Sequence, residues 1–172
     1  MEKEARYKEI IESNKDRIFR ICCGYVRDQD ERKDVYQEII INIWRSLDAF
    51  RGQSQMSTWI YRIAVNTCLS HVRSETRRRK HIDPEASLAI DRMPQEDHGE
   101  REEETHRSID QLYRCITTLP PVDRALVALY LEDVSSKESA DILGITETNV
   151  RVKLHRIRKV LKGLLEEEAY GT

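Results

Sequence analysis

Ser135-Ser136-Lys137-Glu138-Ser139-Ala140-Asp141-Ile142-Leu143-Gly144-Ile145-Thr146-Glu147-Thr148-Asn149-Val150 reads as two helices joined by a tight turn. Ser135 and Glu138 fit a capping box, in which hydroxyl and carboxylate satisfy orphan amide donors at a helix start. Ala140 is small where two crossing helices approach, Gly144 permits a left-handed turn residue, and Thr146 suits the cap of the next helix. The spacing of Ala140, Gly144 and Val150 matches a helix-turn-helix. Advancing about 100° per residue gathers Val150, Leu154, Ile157 and Leu161 on one side, the buried one, and turns Thr148, Val152, His155, Arg156 and Lys159 outward. In such a motif the outward face of the second helix enters the DNA major groove, where arginine donates two hydrogen bonds to guanine and other cations meet phosphates. A basic helix that is merely solvated is the bland alternative, and the capped, turn-correct helix before it argues against that. Exposed Val152 fits either a thymine methyl or an ordinary surface position.

The 172 residues accommodate one ordinary domain or two helical ones of roughly 60 to 80 residues each. With 35% charged residues, only six glycines and four prolines, and almost no strand-type alternation, the chain is all-α in composition. Its net charge of -2 gives no bulk attraction to nucleic acid, but the cations cluster. Arg73, Arg77, Arg78, Arg79 and Lys80 form one basic patch, and Arg151, Lys153, Arg156, Arg158, Lys159 and Lys162 form another. Cys22, Cys23, Cys68 and Cys115 have no metal-ligand spacing and are too few for a disulfide scaffold, so they read as reduced packing thiols. The charged start Met1 to Lys8, and the absence of any apolar run near the roughly 18 residues that span a bilayer, point to a cytoplasmic protein.

Organisation follows from periodicity. Residues 1–80 carry three helical patterns. The first holds Ile10, Ile11, Ile18, Ile21, Cys22 and Tyr25 and stops near Gly24. The second follows the acidic turn Asp28 to Glu31, with Val35, Ile39, Ile40, Ile43, Trp44 and Leu47 as a stripe for the centre of a bundle. The third runs from about Ser57 after the polar loop Arg51 to Ser54. Residues 81–105 hold Pro84, Pro94, Gly99 and the charged run Glu100 to Glu104, which is flexible, acidic linker chemistry. Residues 106–172 regain apolar periodicity at Ile109, Leu112, Tyr113 and Ile116, break at Pro120-Pro121, and resume at Leu126, Val127, Leu129, Tyr130 and Leu131. On the third helix Tyr61, Ala64, Val65, Cys68 and Val72 make the cleaner core stripe. The other face holds Trp59, Arg62, Ile63, Asn66, Ser70 and Arg73. That face combines an aromatic plate, an amide and guanidinium groups, the set that stacks on and neutralises an unpaired strand. Taken alone, Trp59 and Ile63 are more often core residues packed against a neighbouring helix.

Asp34-Val35-Tyr36-Gln37-Glu38, and Phe50-Arg51-Gly52-Gln53-Ser54-Gln55-Met56-Ser57-Thr58-Trp59-Ile60-Tyr61-Arg62-Ile63-Ala64-Val65-Asn66, resemble the second conserved region of extracytoplasmic-function sigma factors of bacterial RNA polymerase. The Leu119-Pro120 segment and the helix-turn-helix through Leu154-His155-Arg156 resemble their fourth region. The resemblance implies a subunit that binds core RNA polymerase and directs promoter-specific initiation under an anti-sigma factor. It places Asp34, Gln37 and Glu38 on the polymerase clamp, and Arg51, Gln53, Ser54, Met56, Ser57, Trp59, Arg62, Asn66 and Arg73 on the minus-ten element. The loop Arg51 to Ser57, with Asn66, is implied to hold a flipped non-template base. Thr148, Arg151, Val152, His155, Arg156 and Lys159 fall on the minus-thirty-five element. Met56, where the family often has an aromatic, and Val152, where a small polar residue is frequent, depart from the pattern.

No catalytic set is visible, and the chain is expected to act stoichiometrically, without cofactor or metal. His71, His81, His98, His106 and His155 lack a paired carboxylate or cysteine at ligand spacing, and most sit in polar tracts where a solvated histidine is the usual reading. A dimeric helix-turn-helix repressor leaves the N-terminal motif unexplained, and a nucleic-acid enzyme lacks carboxylate clusters for metal.

Overall fold

Every element of the computed structural model, which describes residues 2–82 and 100–170 with side chains for 3–78 and 107–167, is a helix or a turn between helices. The N-terminal unit comprises α1 (Glu2–Cys23), α2 (Gln29–Ser46) and α3 (Met56–Ile82), with a short 3-10 turn at Leu47–Ala49. The C-terminal unit comprises α4 (Glu100–Thr118), α5 (Pro121–Leu131), α6 (Ser136–Leu143) and α7 (Glu147–Tyr170).

The starts of these helices follow from local chemistry. Asp28 stays extended and its carboxylate accepts the Glu31 N–H at 2.8 Å, capping α2 where the acidic turn was expected. At α5, Pro120 occupies the cap and Pro121 the first helical position, where a missing N–H costs nothing. The capping box at Ser135 forms in both directions. Gly144 ends α6 in the left-handed region at φ 68°, and the Thr146 hydroxyl accepts the Asn149 N–H to start α7.

In the N-terminal unit, Val35, Ile39, Ile43 and Leu47 recur every four residues and face Ile60, Ala64, Val65 and Cys68 across the α2–α3 contact, with Ile18, Ile21 and Cys22 closing the bundle from α1. Truncating a fully buried isoleucine here to alanine costs about 2–5 kcal/mol. Trp44 departs from the expected stripe. It lies half outside the bundle, with the Tyr7 ring edge-on at 4.9 Å and the Lys3 ammonium 4.5 Å above it. The arc from Val35 to Leu47 is already filled by four residues, so Trp44 falls at its rim. The same correction applies to Ile109, Tyr130 and Leu131, which are exposed, and to Leu154, which is half-buried.

Cys22, Cys68 and Cys115 are buried and all four cysteines are free. Hydrogen bonding with Cys22, reinforced by burial, pushes the Cys68 thiol well above its ordinary range, which suits a packing residue. His71 is not solvated: its Nε2 meets Glu31 Oε1 at 2.9 Å between α3 and the start of α2, a partner forty residues away in sequence. His81, His98 and His106 lie outside the described side chains.

Most of the expected linker, residues 83–99, lies outside the described residues, and its flanks at 81–82 and 100–105 are helical. The two units do not stand apart. Ala125, Ala128, Leu129 and Ile142 from the C-terminal unit join the buried cluster of α1, α2 and α3. A Cβ on Gly24 would lie 3.8 Å from both the Ala128 Cβ and the Ile116 Cγ2, so this glycine marks a close approach between the units. Arg124 tightens the seam: its guanidinium donates to the Leu119 carbonyl at 2.7 Å and the Tyr25 carbonyl at 3.5 Å, and burial lowers its pKa.

Candidate nucleic-acid and polymerase interfaces

Three surfaces collect the residues that the sequence singled out. On α7, Val150, Ile157 and Leu161 are buried and Leu154 packs against the same cluster, which fixes the helix's rotation. Thr148, Val152, His155, Arg156 and Lys159 are consequently all exposed on the opposite face, Val152 at 43%. The cations of this helix are not equivalent. Arg151 is held by Glu147 one turn back, and Lys153 by Asp123 of α5 at 2.8 Å. Arg158 sits 4.7 Å over the Tyr130 ring, and Lys162 lies 3.7 Å from Glu166. Arg156 and Lys159 are exposed and have neither an acidic partner nor an aromatic ring beneath them among the described residues. The acids that meet these cations come from outside the run, from Asp123 of α5 and from Glu147 and Glu166 at either end of it.

On the N-terminal unit, Gly52 turns the loop before α3 at φ 71°. Arg51 and Gln53 are exposed there, and Ser54, Met56 and Ser57 are half-buried. Arg62, Asn66 and Arg73 are exposed along α3. Trp59 is half-buried, with its ring centroid 5.1 Å from that of Phe50. Trp59, Met56 and Ile63 all pack against the bundle, so the core reading of Trp59 and Ile63 holds at least in part. Of the adjacent basic patch, Arg77 and Arg78 are exposed, Arg78 pairs with Glu75 at 3.0 Å, and Arg79 and Lys80 lie outside the described side chains.

The third surface is the outer side of α2, where Asp34, Gln37 and Glu38 are exposed. Helical spacing continues their stripe at Ile41, also exposed, a residue that acidity alone does not single out. An acidic face repels phosphate and matches a basic protein surface.

Sequence reasoning missed how α6 meets α3. Thr58, buried to 5% exposure, donates its hydroxyl to Glu138 Oε1 at 3.1 Å, and Arg62 Nη2 donates to the Asp141 carbonyl at 3.0 Å. The Ser135 hydroxyl and, after it, the Ser135 N–H and Thr58 hydroxyl hold the Glu138 carboxyl below its ordinary range, while burial pulls the other way. One carboxylate therefore caps the helix-turn-helix and touches the other unit. The signal present in the sequence was only the capping box. The described residues contain no group of His, Cys, Asp and Glu able to hold a metal ion, and no helix among them is long and apolar enough to cross a membrane.

An all-helical chain with a capped helix-turn-helix and an exposed basic recognition face falls in the class of helix-turn-helix proteins. Residues 10–78 match the family model for Sigma-70 region 2, and residues 109–161 match that for Sigma-70, region 4. The RNA polymerase sigma-H factor of Pseudomonas aeruginosa is 31% identical over 88% of this chain and 83% of its own length. The ECF RNA polymerase sigma factor SigE of Mycolicibacterium smegmatis is 30% identical over 96% of this chain, which spans 64% of that protein. A solved structure of the sigma factor RpoE in complex with the anti-sigma factor NepR from Bartonella quintana shares the fold. It has a TM-score of 0.76 and 17% identity over 94% of this chain and 97% of that one. The chain belongs to the extracytoplasmic-function sigma factors of RNA polymerase.

Proposed function

We propose that this sigma factor docks on core RNA polymerase through Asp34, Gln37 and Glu38 of α2, and reads a promoter at two places. Thr148, Arg151, Val152, His155, Arg156 and Lys159 of α7 take the minus-thirty-five element in the major groove. Arg51, Gln53, Ser54, Met56, Ser57, Trp59, Arg62, Asn66 and Arg73 take the minus-ten element, where extruding a base costs a few kcal/mol that a loop pocket and stacking offset. Residues 1–80 and 106–172 are the two functional domains, and 81–105 is the linker between them. The protein acts in the cytoplasm as a stoichiometric subunit without cofactor, and an anti-sigma factor holds it inactive.

The observation that carries this reading is the rotation of α7: burial of Val150, Ile157 and Leu161 presents Thr148, Val152, His155, Arg156 and Lys159 together on the free side of a correctly capped helix-turn-helix. Run-off transcription with purified core polymerase, on a promoter from the gene's own neighbourhood, tests it. A transcript that requires added protein is expected. Its absence across a panel of promoters from the same genome overturns the reading.

A further inference from the structure

Tyr130, the last residue but one of α5, is exposed at 46%. Its neighbour Leu129 is fully buried, and a helical step of about 100° turns the next side chain out of the core. The ring is not left to solvent alone. The Arg158 guanidinium of α7 stands over it, with its central carbon 4.7 Å from the ring centroid. Within about 6 Å the negative face of an aromatic ring attracts a cation. Unlike a carboxylate, the ring carries no net charge, so the arginine it holds keeps its full charge and its fork of donors.

The place of Arg158 around α7 gives that contact a use. Measured from buried Val150, the exposed residues Thr148, Val152, His155, Arg156 and Lys159 occupy an arc from about 140° to about 240°. One rim of this arc, at about 80° to 120°, carries Arg151, Arg158 and Lys162, all exposed. The other, at about 260° to 300°, carries Asn149, Val160 and Lys153, and Lys153 is held by Asp123 at 2.8 Å. From Arg151 to Lys162 the cationic rim runs about 16 Å along the helix, while each phosphate of one DNA strand takes up about 3.4 Å of duplex axis. The three cations of this rim differ in how much charge they have left. Arg151 is paired with Glu147, and Lys162 lies 3.7 Å from Glu166. Arg158 has the Tyr130 ring and no acidic partner among the described residues.

We propose that Arg158 takes a phosphate of the minus-thirty-five duplex at the edge of the groove, and that Tyr130 is its positioning residue. The inference rests on the reading of α7 as the helix that enters this groove. The ring confines a long side chain to the rim, so less rotamer freedom is lost when a phosphate oxygen accepts from the guanidinium. A phosphate contact carries no base preference. It fixes the register in which Arg156 meets its base. Base reading then belongs to α7 alone, and the hold on the adjoining strand to α7 together with the end of α5.

Holoenzymes carrying the full-length wild type, Arg158→Ala, Tyr130→Leu, Tyr130→Phe, or Tyr130→Leu combined with Arg158→Ala are compared in binding to promoter duplex over a series of salt concentrations. Arg158→Ala should weaken every minus-thirty-five sequence alike and lower the salt slope by about one unit. Tyr130→Leu should weaken binding roughly two- to fivefold, the equivalent of an exposed cation–π contact. Its salt slope should stay near that of wild type, because the cation is still present. Tyr130→Phe should match wild type, since the ring and not the hydroxyl holds Arg158. Where Arg158 is already alanine, Tyr130→Leu should cost nothing further. Both side chains are exposed, so the fold should survive, and circular dichroism checks it; Tyr130→Met replaces Tyr130→Leu if it does not. An unchanged salt slope in Arg158→Ala overturns the phosphate contact. Equal losses from Tyr130→Leu with and without Arg158 overturn the positioning role, as does a lowered unfolding midpoint in Tyr130→Leu with binding undiminished. Arg156→Ala, measured in parallel, separates this inference from the reading beneath it. Relaxed base preference in Arg156→Ala beside an unchanged slope in Arg158→Ala removes Arg158 from the interface and keeps α7 in the groove. Full base preference in Arg156→Ala beside that unchanged slope removes both.

Discussion

The two helices proposed to face DNA, α7 and α3, are oriented by different means. The rotation of α7 is set within its own unit: a capping box, a left-handed glycine and the residues Val150, Ile157 and Leu161 fix which face is free. The orientation of α3 rests on a longer core, and part of its polar face is spoken for by a helix from the other unit, through Thr58 to Glu138 and Arg62 to the Asp141 carbonyl. A recognition surface coded locally is therefore presented ready-made. The other shares polar groups with a helix some eighty residues away in sequence, as between Thr58 and Glu138.

The largest expected effect separates docking from both reading faces. Asp34→Lys combined with Glu38→Lys should lower affinity for core polymerase by roughly a hundredfold or more, because like charges placed opposite a basic surface cost several kcal/mol. Both side chains are exposed, so circular dichroism should be unchanged. Pull-down with core enzyme reads the result, and equal recovery with a helical variant would remove these residues from the docking site.

A smaller effect tests whether the helix-turn-helix is as locally determined as the comparison requires. Gly144 has nothing within 4 Å of where a Cβ would lie, so Gly144→Val meets no crowding, only the cost of φ 68° for a branched side chain. That costs roughly 1–2 kcal/mol, and thermal unfolding should show a drop of a few degrees. Gly144→Asn should be milder, since asparagine tolerates this region.

Weaker again is the cap. Ser135→Ala should cost about 1 kcal/mol, and a double-mutant cycle with Glu138→Gln should show coupling, because each satisfies the other's N–H. The smallest effect is in pH. Glu138's folded pKa is depressed, so its contribution is fully present above the unfolded value near 4.5 and is lost as pH falls through the lower folded value. Wild type should lose slightly more stability than Glu138→Gln on acidification through that window, as followed by denaturant midpoints.

The sequence disclosed what is decided over short spans. The caps at Ser135 and Thr146, the turn at Gly144, the helix start after the acidic turn at Asp28 and the core stripe of α3, with Val72 only half-buried, appear where spacing placed them. Glu100 to Glu104 read as linker because periodicity needs an apolar stripe, and glutamate and arginine form helix well without one. Trp44 was placed in the core by type and spacing, neither of which shows that the arc is already full. The contacts between units were invisible for a simpler reason. Arg20 and Glu132 stand 112 residues apart, and nothing in either neighbourhood names the other. The contact of Arg62 with the Asp141 carbonyl, 79 residues on, was hidden for the same reason.

Arg156 and Lys159 are exposed cations of α7 with neither an acidic partner nor a ring contact among the described residues, and they carry the most direct test. The C-terminal unit shares Ala125, Ala128, Leu129 and Ile142 with the core of the other unit, so the measurement is made on full-length protein assembled with polymerase. Binding of Arg156→Ala and Lys159→Ala holoenzymes is compared on promoters with single-base changes in the minus-thirty-five element, at several salt concentrations. Arg156→Ala should cost roughly 1 to 3 kcal/mol and relax preference at one base position. Lys159→Ala should weaken all sequences alike and lower the salt slope by about one unit. Full base preference in Arg156→Ala, or a change at a single position in Lys159→Ala, would contradict the orientation of this helix in the groove.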